Sequence, residues 1–244
     1  MMSNFYYSNN HILALAKNHY IQTSGIDFVK QNALSNDAII NFQSFWNNLV
    51  LDQYMADGGK YRYRRYGEFF LNVSANSLEL QPHKSYSQPL YINQLNGGVE
   101  RMFEPLQNKF TENSILISIL NDFGNLFKAV SDINKWSVRL HPYRIYANRD
   151  SKGYPTPEGL HRDGVDFIIS LMINRVNIMG GISKVTNLEK NLLSEVQLSD
   201  PFDTLIGNDH LTLHEVSTIT PVNDGLPAYR DVLVIAFTEI KEDV

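Results

Sequence analysis

From Trp136 onward the chain is a series of short apolar runs of strand length, WSVRLHPYRIYA, VDFIISLMINRVNIM, DHLTLHEVSTI and DVLVIAFTEI, separated by Gly, Pro, Asn and Asp. No long helical pattern lies between these runs, as a parallel α/β sheet would require. The pattern therefore predicts a sandwich or barrel in this half. The first third has a different period. Between Asn36 and Met55, Ile39, Phe42, Trp46, Leu49 and Val50 recur at helical spacing, Ser35 or Asn36 can cap the start, and Gly58-Gly59 follow the end. A second helix is expected from about Asn113 to Val130, where SILISILNDFGNLFKAV keeps one apolar stripe and Gly124 weakens the middle. The segment QPHKSYSQPLYINQLNGG between them reads as loop with short strands.

A chain of 244 residues, 43% hydrophobic and 19% charged, can bury a large core. One domain over 1–244 is expected, with a helical amino-terminal part of about 1–130 packed on a barrel of about 131–244. The net charge of -5 argues against a dedicated nucleic-acid surface. The basic cluster KYRYRRYGEFF is then a local feature. No cysteine is present, so disulfides and thiolate metal sites are excluded and any metal must take nitrogen and oxygen ligands. The start, MMSNFYYSNNHILALAKNHY, has the pattern of neither a signal peptide nor a membrane span. A soluble cytoplasmic protein with no membrane partner is the expectation. Oligomeric state leaves no mark in the sequence.

The segment PTPEGLHRDGVDFIISLMI delivers His161 and Asp163 to the start of an apolar run. Two residues apart in extended chain, they point to the same side. His210 and His214 follow in NDHLTLHEVSTITP, spaced by four and co-facial if that segment is a strand, so either can complete a triad. Two histidines and one carboxylate on one face of an octahedral ion leave three positions open, the arrangement of non-haem Fe(II) oxygenases, which admits a bidentate cosubstrate and dioxygen. Arg230 heads the apolar strand RDVLVIAF. A buried guanidinium needs an anion, and its planar fork suits a carboxylate. That anion is a dicarboxylate cosubstrate or, equally, Asp203, Asp224 or Asp231.

The ordered blocks HPYRIYA, PTPEGLHRDGVDF, INRVNIMGG, LHEVSTITPV and YRDVLVIAF, with GGKYRYRRYGEF upstream, resemble the Fe(II)/2-oxoglutarate dioxygenase family of bacterial free-amino-acid hydroxylases, the L-isoleucine 4-hydroxylase-like group. The resemblance runs from about Trp136 to the carboxy terminus. It implies a double-stranded β-helix, a jelly-roll or cupin-like barrel that is mainly β with flanking helices, and iron at its open end. It also implies that His161, Asp163 and His214 are the iron ligands and that Arg230 holds the far carboxylate of 2-oxoglutarate. The implied activity is hydroxylation of a small molecule, most simply a free aliphatic L-amino acid, with Fe(II), 2-oxoglutarate and dioxygen. The chain departs from the family pattern in carrying STIT before Pro221 and Ile182 after the double glycine.

Arg62 and Arg64, interleaved with tyrosines, suit either a substrate carboxylate or a structural ion-pair strand. His141 and Arg144 fall on opposite strand faces unless Pro142 introduces a bulge, and Arg144 stands as a further substrate-contact candidate. Gly180-Gly181 reads as a turn or a close backbone approach. Two other classes share the scaffold: a non-enzymatic cupin-like binding or stress-response protein, and a non-redox metal hydrolase, which has no use for Arg230.

Overall fold

The computed structural model describes residues 6–92 and 97–241. Residues 1–5, 242–244, and 93–96 of the segment expected to be loop with short strands, lie outside the described residues. In chain order the elements are α1 (Asn9–Asn18), β1 (Tyr20–Thr23), α2 (Gly25–Gln31), α3 (Asn36–Ser44), a 3-10 turn (Phe45–Asn48), β2 (Val50–Leu51), β3 (Arg62–Arg64), β4 (Gly67–Asn72), β5 (Ser77–Leu80), α4 (Asn108–Thr111) and α5 (Ser114–Ser131). There follow β6 (Lys135–Ala147), β7 (Phe167–Val176), β8 (Ile178–Gly180), β9 (Ser183–Asn187), β10 (Leu192–Val196), β11 (Thr204–Asn208), β12 (Thr212–Val216), β13 (Ile219–Pro221) and β14 (Ala228–Glu239).

The main sheet runs β1-β11-β7-β14-β6-β3-β2, with β4 and β5 joined to it through β6. A three-stranded sheet, β10-β9-β12, and the pair β13-β8 form the second layer. Every paired strand is antiparallel, giving a mainly β, jelly-roll-like arrangement. The two layers face each other: Ile168, Ser170, Leu205 and Gly207 of the main sheet line a small space with Ser183, Val185, Thr212 and His214 of the second. Among the described residues no helix is long and apolar enough to cross a membrane.

Strand alternation divides the chemistry. Side chains of successive strand residues point to opposite faces. On β14, Leu233, Ile235 and Phe237 join Trp136, Val138 and Leu140 of β6 and Phe167, Ile169 and Leu171 of β7 in one apolar core. That core is capped by the α5 stripe of Leu116, Ile119, Leu120, Phe123 and Phe127. The other parity, Arg230, Val232, Val234 and Ala236 on β14 with Arg139, His141, Tyr143 and Ile145 on β6, lines a cavity on the opposite face. The hydrophobic set that fixes the register therefore also fixes which residues reach the cavity.

The helices depart from expectation at their ends. The pattern from Asn36 to Met55 yields α3, capped by the Ser35 hydroxyl accepting the Ala38 N–H at 3.2 Å, but it ends at Ser44 and continues as a 3-10 turn. Val50 and Leu51 leave helical phase because they pair with Arg64 and Tyr63 of β3. The later helix forms over Ser114–Ser131, its Asn113 side chain accepting the Ile115 N–H. Gly124 lies against Leu71, where an added Cβ would sit 2.4 Å from Leu71 Cδ2, so close helix–sheet packing accounts for it. The amino-terminal part is not purely helical, since strands β1 to β5 also come from it. At Gly180 both a φ of 78° and an approach that would bring a Cβ within 2.0 Å of the Thr218 carbonyl require glycine.

Candidate active site

His161 and His214 exchange backbone hydrogen bonds, His161 N–H to the His214 carbonyl at 3.0 Å and His214 N–H to the His161 carbonyl at 2.8 Å. This reciprocal pair sets the two imidazoles side by side, with ring centroids 4.4 Å apart. His214 lies on β12, whereas His161 belongs to an extended loop that meets this strand through the bridge. Thr156 ties that loop down from the other side, its hydroxyl donating to the Val216 carbonyl at 3.1 Å and accepting the Val216 N–H at 2.9 Å. Asp163 follows, and one donor atom from each of His161, Asp163 and His214 lies within 4.8 Å of the others.

Each donor is oriented. His161 Nδ1–H donates to the Gly159 carbonyl at 2.8 Å, which leaves Nε2 with its lone pair facing the site. His214 Nε2 is 3.4 Å from Asp163 Oδ2. Asp163 is held through its backbone. The buried carboxylate of Asp209 accepts the N–H groups of Asp163 at 3.0 Å, Gly164 at 2.6 Å and Val165 at 3.0 Å. Gly164, at φ 74°, allows the turn that aims all three at one carboxylate.

Burial holds the His214 imidazolium down to a pKa of about 3, and the neighbouring His161 works in the same direction. For His161 burial also opposes the charge, but Asp163 and Glu158 outweigh it and raise its pKa. Asp209 is raised by burial and by the charge of Asp163. A ligand must present a lone pair, so a neutral His214 beside the Asp163 carboxylate is a ready nitrogen–oxygen donor set.

Arg230 enters the cavity from β14 and is 2% exposed. Its Nε and Nη2 atoms are buried with no hydrogen-bond partner. Asp231 is no counter-ion for it, because strand alternation turns that carboxylate to the other face, where Arg144 grips it at 2.6 and 2.7 Å and Asn174 donates at 2.9 Å. Asp203 is engaged by the N–H groups of Gly25, Ser199 and Asp200. Burial and the nearby Arg175 push Arg230 down to about 10, still a cation at neutral pH. Gly181 keeps the space beside it open, since an added Cβ would lie 3.5 Å from Arg230 Cδ and 2.9 Å from Arg175 Nη1.

The remaining candidates separate by face. Arg62 and Arg64 both point inward and line the cavity, and Asp52 accepts from Arg62 Nε at 2.8 Å. Arg144 does not join them: its two-point pairing with Asp231 lies behind the sheet, which is the opposite-face placement relative to His141, without a bulge in the β6–β14 register. The substrate-contact expectation for Arg144 is corrected on that ground. His210 lies before β12 in a turn, and its exposed ring meets Asp166 at 2.8 Å, away from the cavity. Asp209, Glu158, Arg101 and Arg139 were not singled out from the sequence. Asp209, Glu158 and Arg139 lay inside sequence blocks already in view, beside His210, His161 and His141, whereas Arg101 lay in none.

The nitrogen and oxygen donors, the uncommitted Arg230 edge and a His214 Nδ1 buried without a partner together fit a two-histidine, one-carboxylate iron site with room for an anionic cosubstrate. A jelly-roll-like sheet pair with this cavity defines a non-haem iron oxygenase type of protein. The chain belongs to the 2OG-Fe dioxygenase family, whose model matches residues 43–236, and it is accordingly an oxidoreductase that uses Fe(II), 2-oxoglutarate and dioxygen. It is 25% identical over 228 residues to 3(1)-hydroxy-L-isoleucine 4-dioxygenase of Pantoea ananatis, covering 92% of this chain and 90% of that one. It is 21% identical over 225 residues to L-isoleucine-4-hydroxylase of Bacillus thuringiensis, covering 90% of each. Among solved structures, a bsmA homolog from Methylobium petroleophilum PM1 superposes with a TM-score of 0.84 at 31% identity, covering 93% of this chain and 91% of that one.

Proposed function

We propose that the protein hydroxylates a small molecule, a free aliphatic L-amino acid, with His161, Asp163 and His214 holding Fe(II) and Arg230 holding the far carboxylate of 2-oxoglutarate. The observation that carries the reading is a buried guanidinium without an acceptor in the same cavity as the two-histidine, one-carboxylate cluster. The amino-acid part is supported by the two curated relatives, whose names give an isoleucine and a hydroxyisoleucine as substrates. When bound, Fe(II) together with 2-oxoglutarate and dioxygen supplies the oxidation that turns a C–H bond into C–OH, releasing succinate and carbon dioxide. The chain's own residues do the positioning. Asp209 fixes Asp163, Gly159 fixes the His161 ring, and Arg230 orients the cosubstrate by its distal end. Val165, Ile168, Val232, Val234 and Ala236 supply an apolar wall that keeps water from the reacting carbon.

Arg62 and Arg64 are retained on the substrate side of the cavity, Arg64 as a contact and Arg62 as its Asp52-paired neighbour on the wall, supported by their place there. The reading further takes the chain as one catalytic domain over 1–244 with a double-stranded β-helix core. It places the protein in the cytoplasm, which the absence of cysteine favours. The test is a screen of the twenty amino acids with Fe(II), 2-oxoglutarate and oxygen, scored for succinate and for a product heavier by one oxygen atom. At least one aliphatic amino acid is expected to give both in equal amounts. Succinate release that no amino acid stimulates would contradict the substrate class.

A further inference from the structure

Arg230 and the metal cluster leave most of the cavity's positive charge unused. Among the described residues the cavity is lined by five arginines, Arg62, Arg64, Arg101, Arg139 and Arg230, against the carboxylates of Asp163 and Glu158. Arg62 is paired with Asp52 at 2.8 Å, and the same oxygen reaches Arg64 only at 3.8 Å. Glu68, near Arg139, is engaged by Lys84 at 3.0 Å and by the Ser137 hydroxyl at 2.8 Å. Arg64, Arg101 and Arg139 each keep a buried Nε with no acceptor.

Aromatic rings lie against all three guanidinium groups, contacts that use up none of their N–H donors. Arg64 lies 3.5 Å from the Phe103 ring centroid and 4.6 Å from that of Tyr143. Arg101 lies 5.0 Å from Tyr86 and 5.6 Å from Phe103, and Arg139 5.9 Å from Tyr86. Such cation–ring contacts hold a guanidinium in place without using its N–H groups. Tyr86 and Arg101 also exchange backbone hydrogen bonds at 2.9 Å each, which pins the Arg101 backbone over the cavity. The polar contacts already made are few: Arg101 Nη2 to Gln88 Oε1 at 3.2 Å, Arg139 Nη2 to the Thr238 hydroxyl at 3.0 Å, and Arg64 to the neutral ring of His141. In the β6–β14 ladder Arg230 is opposite Ile145 while Arg139 is opposite Ala236. Six strand residues place the two ends roughly 20 Å apart in backbone. A cosubstrate held at Arg230 therefore does not reach Arg139, or Arg101 on the same Tyr86 ring, while Arg64, opposite Tyr143 in the β3–β6 ladder, stands between the two ends.

We propose that Arg64, Arg101 and Arg139 form a second anion subsite that binds the carboxylate of the substrate, making a free carboxylate the required handle. The proposal rests on the dioxygenase reading above and names the recognition element of that same site. Arg62 is then a buttress, tied to Asp52 rather than to ligand. Esters, carboxamides and internal peptide residues are excluded because each would leave buried cations unpaired.

The test is anaerobic calorimetry on the whole chain loaded with Fe(II) and 2-oxoglutarate. The titrants are the twenty free L-amino acids, their N-acetyl derivatives and straight-chain monocarboxylates, each paired with its carboxamide. At least one acid is expected to bind, and its carboxamide to bind weaker by about 30-fold or more. Arg101→Gln and Arg139→Gln should each weaken the acid by roughly 10-fold or more and leave the carboxamide and 2-oxoglutarate within about 3-fold. Arg101→Lys should recover part of the loss. Equal affinity for acid and carboxamide overturns the subsite, as do variants that weaken both alike, or no binding of any acid by a protein that does bind 2-oxoglutarate. Failure of the unaltered protein to bind 2-oxoglutarate overturns the cosubstrate reading, and the subsite with it.

Discussion

His214 and His210 show how little separates a site residue from a surface one. Four residues apart, they differ in that His214 lies on β12 paired with the His161 loop, while His210 stays in the preceding turn against Asp166. An exposed pair of that kind is worth about 0.2–1 kcal/mol. His210→Ala should therefore leave turnover within about 2-fold, whereas His214→Ala should abolish it, as succinate release will show. Equal losses would move the third donor to His210. Asp209 carries the second residue-scale expectation. Removing its carboxylate strands three N–H groups beside Asp163, and supports of metal ligands typically account for 10–100-fold in affinity. Asp209→Ala should weaken Mn(II) or Fe(II) binding by about that factor in a direct titration, with thermal stability remeasured as the folding control. The histidines and Asp163 were legible because a short extended spacing puts chemistry on one face. Asp209 was not, because its work is done on backbone amides some 45 residues away in sequence, and no side-chain pattern records that.

At the scale of elements, strand parity is what the sequence exposed best. The runs that became β6, β7, β12 and β14 were visible as strands because each alternates or is apolar throughout, and the cavity residues follow from the register. Strands β9, β10 and β11, with sequences SKVTN, LLSEV and TLIGN, lack that contrast, and long-range pairing rather than propensity makes them strands. Arg144 sits on the wrong parity to reach the cavity, and only the Asp231 partner, 87 residues on, shows what it does. Helix α5 carries a buried charge of its own. Burial raises the Asp122 carboxyl to about 6, although the Tyr6 N–H works the other way. An acid whose folded pKa lies above its unfolded value of about 3.9 costs stability once pH exceeds the unfolded pKa, and the cost is complete above the folded one. Stability should accordingly fall as pH rises from about 4 to 6 through this group. Asp122→Asn should raise stability at pH 7 by roughly 1–3 kcal/mol and by nothing below about pH 4, as denaturant melts at the two pH values will show. A constant difference at both would place the effect in packing rather than charge.

For the molecule as a whole, one sheet serves two purposes: the α5 face supplies the apolar core, and the reverse face carries Arg139, His141, Arg230 and their neighbours into a cavity closed by the second layer. The broad architecture, helices on an antiparallel β fold, was legible from periodicity. The strands contributed by the amino-terminal part were not, because β3 and β4 find their partner, β6, across some 60 to 80 residues. Because the proposed metal donors come from separate segments brought together by folding, a bound ion should stabilise the native state by linkage. At 100 times its dissociation constant the gain is about 2.7 kcal/mol, visible as a raised melting temperature that His161→Ala removes. The central claim, however, is that this cavity is built for a particular cosubstrate, and anaerobic binding of 2-oxoglutarate to the Fe(II)-loaded protein and to Arg230→Ala tests it most directly. Losing a partner to a desolvated carboxylate costs about 2–5 kcal/mol, so the variant should bind 2-oxoglutarate about 30-fold to several thousand-fold more weakly. Pyruvate, which lacks the distal carboxylate, should bind both proteins alike. Unchanged 2-oxoglutarate affinity in Arg230→Ala, or equal losses for the long and the short 2-oxo acid, would contradict the account.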